Sequence, residues 1–182
     1  CKRDSPDPAR PAAGTGWKTL ADGTVEVAGL RIHGGPDPRR TVFGVSEPVL
    51  ETGETAAEFG ARMAAEACGA EADITLIHDP RHAQPALETG CVPFALSGHW
   101  HRRVGPEPFA RGIRYVSSTT GGALADALTP GPLKMPAELS IIRFDADTGA
   151  PLDLQVVTVD MDAGVPFSAR ETVPRPDPRA PA

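Results

Sequence analysis

Apolar and polar positions along the chain fall into short blocks, and each block points to one kind of element. Residues 74–78 read Ile74-Thr75-Leu76-Ile77-His78, and residues 92–97 read Val92-Pro93-Phe94-Ala95-Leu96-Ser97. Apolar runs of this length, closed by Asp79-Pro80 or Gly98, predict buried strands. Val25-Glu26-Val27-Ala28-Gly29-Leu30-Arg31-Ile32 alternates apolar with polar and predicts a strand broken or turned at Gly29, after a hairpin-type turn at Asp22-Gly23. Gly112-Ile113-Arg114-Tyr115-Val116 predicts another strand, with a loop at Ser118-Thr119-Thr120-Gly121-Gly122. The final pair, residues 139–145 and 152–160, is joined by a turn at Asp147-Thr148-Gly149, and its alternation fits a sheet packed on one side.

The period changes from two to about four over residues 55–68. Thr55 and Glu58 form a capping box, in which hydroxyl and carboxylate each satisfy a free N–H of the first turn. Phe59, Met63 and Ala67 then recur at four-residue spacing as one apolar stripe, and Gly69 closes the helix. A short helix is predicted over residues 123–128, and loops over 1–16, 34–52 and 130–136. A helix leading into a buried strand, followed by a second buried strand, predicts α/β architecture.

Composition narrows the class. A chain of 182 residues, 40% apolar, is long enough for a core, but at 5% aromatic that core must rest on Val, Leu, Ile and Ala. The net charge of −6, without a basic block, disfavours a general nucleic-acid binder. No apolar run approaches the roughly 20 residues that span a bilayer. Cys1, Cys68 and Cys91 are odd in number and widely spaced, which argues against a disulfide framework and against a CxxC-type zinc site; Cys68 and Cys91 are expected to be buried thiols. The start at Cys1 rather than Met suggests a fragment or a processed product. The expected organisation is an N-terminal loop segment over 1–16, one domain over 17–165, and a Pro-rich disordered tail over 166–182. The pattern selects neither a compartment nor an oligomeric state.

Histidine is scarce, with five in the chain, yet three of them fall at predicted strand ends. His78 ends the first buried run, and Gly98-His99-Trp100-His101 follows the second. In an extended backbone His99 and His101 share a face, and Asp79 points away from His78. Ligands bind at the carboxyl edge of open α/β sheets, and imidazoles grouped there suit a metal ion. A set of three histidines with an open fourth position is also that of a mononuclear zinc site. Each of these histidines taken singly reads more readily as a solvated or core residue capping a strand end. His33 and His82 are expected at the surface, and Arg102 and Arg103 either meet substrate phosphate or stand as solvated rim charges.

His78-Asp79-Pro80 followed by Gly98-His99-Trp100-His101 resembles the C-terminal half of the calcineurin-like metallophosphoesterases. That family carries a histidine at one strand end and a GHxH motif at the next. Residues 27–32 leading to Asp37-Pro38-Arg39, and Ser117-Ser118-Thr119-Thr120-Gly121-Gly122, resemble its bacterial branch. The resemblance covers most of residues 17–160. It implies the C-terminal part of a βαββα sandwich, with mixed sheets and few helices. It also implies a phosphoester substrate and divalent metal ions (manganese, iron or zinc), with His78 and His99 on one ion and His101 on another. A bridging hydroxide would attack phosphorus. The family's Asp-x-His and Gly-Asp-x-x-Asp motifs occur nowhere in the 182 residues. Cys1-Lys2-Arg3-Asp4-Ser5 stands where a Gly-Asn-His-Asp-like stretch is expected, which makes Asp4 a possible remnant of that site. On this reading the chain binds at most one metal well, or is an inactive remnant that keeps the histidine cluster. Half a sandwich would also leave strands 74–78 and 92–97 partly uncovered and poorly soluble alone.

Overall fold

The computed structural model describes residues 20, 23–40, 49–50, 53–124 and 132–176. The alternating N-terminal run forms a hairpin, β1 (Gly23–Val27) and β2 (Leu30–Gly34), turned at Ala28-Gly29. Part of the segment expected as loop pairs instead, as β3 (Arg39–Arg40) with β4 (Val49–Leu50). Next come α1 (Ala56–Gly69), β5 (Ile74–Leu76), α2 (Pro80–Thr89) and β6 (Phe94–Ser97). The chain continues through β7 (Val104–Phe109), β8 (Gly112–Val116), β9 (Ala137–Phe144), β10 (Pro151–Val159) and β11 (Glu171–Thr172). The short helix expected over 123–128 falls mostly on residues outside those described.

Six strands form one mixed sheet in the order β1-β2-β5-β6-β8-β7. Its four inner strands, β2, β5, β6 and β8, run parallel, and the edges β1 and β7 are antiparallel. A second, antiparallel sheet has the order β11-β10-β9. Strand alternation sends successive side chains to opposite layers. On β6, Phe94 joins Ile74, Ile113 and Tyr115 against Leu154, Val156 and Val173 of the second sheet. Its neighbour Ala95 faces Phe59, Met63, Ala83 and Leu87 of the helices. The result is a helical layer, a six-stranded sheet and a three-stranded sheet, an α/β architecture with two helices among the described residues. The strands expected to be uncovered are thus packed on both faces, with Ile74 and Phe94 buried, while Leu76 at the end of β5 stands 44% exposed.

The capping box of α1 is present, and its predicted stripe Phe59, Met63 and Ala67 is fully buried. No helix is predicted over residues 80–89, although the signals of α2 stand in the chain. Asp79 caps it, Pro80 opens it, and Gly90 closes it in the left-handed conformation. α1 and α2 approach closely at Gly60, where a Cβ would lie 3.2 Å from the His82 carbonyl oxygen.

Three expectations are corrected here. Cys68 and Cys91 form a disulfide, with Cα atoms 5.2 Å apart. Their 23-residue separation is closed by α2 folding back on α1, which brings the end of one helix to the entrance of β6. His33 and His82 are buried rather than surface residues. His33 Nδ1 meets Thr24 Oγ1 at 2.9 Å and its Nε2 lies 3.5 Å from Glu66, while the His82 ring packs edge-on against Phe59. Residues 166–176 are not a disordered tail, because β11 pairs with β10 and Val173 is buried in the inter-sheet core.

Candidate functional site

β2, β5, β6 and β8 are parallel neighbours, so the segments that follow them emerge at one edge of the sheet. That edge gathers Asp37 after β2, His78 after β5, His99 and His101 after β6, and residues 117–119 after β8. Backbone pairing continues past the strands and sets the register of the histidines. Ile77 N–H donates to the Leu96 carbonyl at 3.1 Å, and Gly98 N–H to the His78 carbonyl at 3.0 Å.

The segment 98–101 is not extended as expected. Trp100 N–H closes on the Gly98 carbonyl at 2.7 Å, and both His99 (φ 67°) and His101 (φ 52°) are left-handed. The chain has to leave β6 and return as β7 at the far edge, and a tight turn accomplishes this where a strand could not. Two non-glycine residues held at positive φ within three positions are uncommon, and such backbone clusters at functional sites. The placement of His99 and His101 is therefore set by the turn and not by strand alternation.

His78 Nε2 and His99 Nδ1 face each other at 3.2 Å, with their rings 5.0 Å apart and inclined at 72°. Burial, reinforced by the neighbouring His99, pushes the His78 pKa below its ordinary 6.5 and favours the neutral ring. His101 Nδ1 donates to the Ala123 carbonyl at 2.8 Å, which leaves Nε2 as its lone-pair nitrogen. The loop after β8 supports this arrangement. The Ser118 hydroxyl donates to the His101 carbonyl at 3.4 Å, and Thr119 Oγ1 accepts from Ala123 N–H at 3.1 Å.

Asp79, expected to point away, belongs to the same cluster, because residues 77–79 have already left the strand. As the cap of α2 it accepts from Arg81 N–H at 2.9 Å and from the Arg81 side chain, and its Oδ2 lies 3.9 Å from His99 Nε2. Burial would raise its pKa, but the hydrogen bonds from Arg81 outweigh burial and hold it below the usual carboxylate value. Arg102 is not brought to the histidines: its guanidinium lies 5.5 Å from the Trp100 ring centroid. Arg103 reaches Glu138 and Glu171 of the second sheet, each at 3.7 Å. Asp4 lies outside the described residues. Beneath His78 a cavity of about 550 Å³ opens between the sheets, lined by Leu96, Ser97, Tyr115 and Ile142.

Among the described residues, no three His, Cys, Asp or Glu side chains converge as a metal site. His78 Nε2 and His99 Nδ1 stand at hydrogen-bond distance, 3.2 Å. Two nitrogens bound at about 2.0–2.1 Å in tetrahedral geometry stand about 3.3 Å apart. Compared with protein-family models, curated proteins and solved structures, the chain matches none.

Proposed function

We propose that this chain carries part of the site of a metal-dependent phosphoester hydrolase, with His78 and His99 holding one divalent cation, whether manganese, iron or zinc. The observation that carries this reading is the 3.2 Å separation of His78 Nε2 and His99 Nδ1 at the carboxyl edge of a parallel sheet. A divalent cation, if bound by His78 and His99, would supply Lewis-acid polarisation of a phosphoryl oxygen and would lower the pKa of water. The protein's own contribution is to lower the His78 pKa, which favours the neutral ring, and to set the register of both rings through the pairing of residues 77–78 with 96–98. His101, turned by its bond to the Ala123 carbonyl, offers Nε2 to a second ion or to a phosphoryl oxygen. Asp79 Oδ2 stands 3.9 Å from the other ring nitrogen of His99, Nε2.

The competing reading is a module without catalysis. It is favoured by the convergence of only two such ligands, in which case the His78–His99 contact is a plain hydrogen bond. A mononuclear three-histidine zinc site has less support, since His101 does not join the pair. Elemental analysis after loading with manganese or zinc separates these readings, on the chain and on its His99→Ala, His101→Ala double variant. About one equivalent of metal, lost in the variant, is expected, together with slow hydrolysis of bis(p-nitrophenyl) phosphate. A wild-type chain that retains no metal overturns the hydrolase reading and leaves the structural module.

A further inference from the structure

The core between the two sheets is not closed along its whole length. Ile74 and Phe94 are buried in it, but two residues further along the same strands the packing opens. Leu76 is 44% exposed, and Leu96 and Ile142 pack against the core while only partly buried themselves. The space that these three side chains border is the cavity of about 550 Å³. Clefts that hold a drug-sized molecule span roughly 300–1,000 Å³ and are lined mostly by apolar groups with a few placed polar ones.

The polar groups of this cavity divide into satisfied and unsatisfied. Tyr115 Oη and Ser140 Oγ are paired with each other at 2.6 Å. Glu138 stands two residues before Ser140 on β9, on the same face of the strand, and also lines the cavity. Its Oε2 is buried and accepts no hydrogen bond among the described residues. Arg103 Nε stands 3.7 Å from that oxygen, near enough to balance its charge and too far for a direct bond. A buried acceptor without a donor is costly, so the wall lacks one N–H or O–H. With Arg103 already balancing the carboxylate, the missing group is a neutral donor. A second cation would compete with Arg103, and an anion would meet the carboxylate.

We propose that the cavity is a binding site for an uncharged apolar alcohol, whose ring or chain lies against Leu76, Leu96 and Ile142 and whose hydroxyl donates to Glu138 Oε2. The site goes beyond the hydrolase reading and needs no cation at the histidine pair. A hydrogen bond to a charged acceptor changes affinity by about tenfold or more.

The test is titration of the full 182-residue chain, without added metal, with 2-naphthol and with 2-methoxynaphthalene, followed by naphthalene fluorescence. The two probes share an apolar body, and only the first carries a donor. Saturable binding of one 2-naphthol is expected, at least tenfold tighter than the ether. Glu138→Leu removes the acceptor and is expected to bring the two affinities within threefold of each other. Leu76→Trp fills the cavity from its exposed end and is expected to weaken 2-naphthol at least tenfold, with a melting temperature within about 2 °C of wild type because the position is half in solvent. A wild-type chain that binds no 2-naphthol overturns the inference, and so does one that binds both probes equally. Unchanged 2-naphthol affinity in Leu76→Trp also overturns it, since the probe then sits elsewhere. None of these outcomes involves the metal, so each leaves the hydrolase reading to be decided by elemental analysis.

Discussion

His78 is the residue at which local chemistry and global stability meet. Its folded pKa is lowered by burial and by His99, whereas in the unfolded chain it titrates near 6.5. Between the two values the unfolded chain binds more protons, so stability rises with pH through that window and is lost as the pH falls below 6.5. The urea midpoint of the metal-free chain is expected to fall between pH 7.5 and pH 5.5, and to fall less in His78→Asn. An equal pH slope in both proteins would remove His78 as the cause. The histidines themselves could be read from the chain, because they stand next to apolar runs and glycine or proline. Their carboxylate neighbour could not. Asp79 looks like a strand neighbour pointing away until the strand is seen to end at Leu76.

At the scale of elements, α1 and α2 contrast. α1 declares itself twice, by its capping box and by its stripe, and both are present in the fold. Loss of the cap in Thr55→Ala is expected to cost about 1 kcal/mol of unfolding free energy, measured in urea. Phe59→Ala is expected to cost about 3–5 kcal/mol, because it opens a cavity where the helices meet the sheet and removes the wall of the His82 ring. A cost below 1 kcal/mol would mean that the helical layer is not packed as described. α2 carries its stop and start signals, but its buried face, Pro80, His82, Ala83, Ala86 and Leu87, holds a single large aliphatic side chain and so reads weakly as a hydrophobic stripe. Small residues bury little area alone and become core only against a partner helix. The same reasoning explains β7, whose Val104-Gly105-Pro106-Glu107-Pro108-Phe109 lacks strand character and pairs because β8 offers an edge.

At the scale of the whole molecule, two layers of packing and one covalent link hold the site edge in place. The Cys68–Cys91 disulfide closes a loop that contains α2 and the strand leading to His78. By the chain-entropy relation a loop of this length contributes about 3 kcal/mol, so a reducing agent is expected to lower the melting temperature by several degrees. Identical melting with and without reductant would show that the link adds nothing to stability. The second sheet is tied across the core by Tyr115 Oη to Ser140 Oγ at 2.6 Å, and at the rim by the ion pairs of Arg103. The turn that carries His99 and His101 is thereby anchored to both sheets.

Local pattern alone determined the α/β class, the helix at 55–68, the main strands and the three histidines at their ends. These rest on periodicity, caps and turn residues, all encoded within a few neighbouring positions. Tertiary structure decided everything that depends on which strand lies beside which. The disulfide, the burial of His33 and His82, the place of residues 166–176, and the approach of Asp79 to His99 are all of this kind. Each joins residues that are distant in the chain or that turn out of a strand, and nothing in a local window encodes such a juxtaposition. It arises when parallel pairing of β2, β5 and β6 brings three separate loops to one edge.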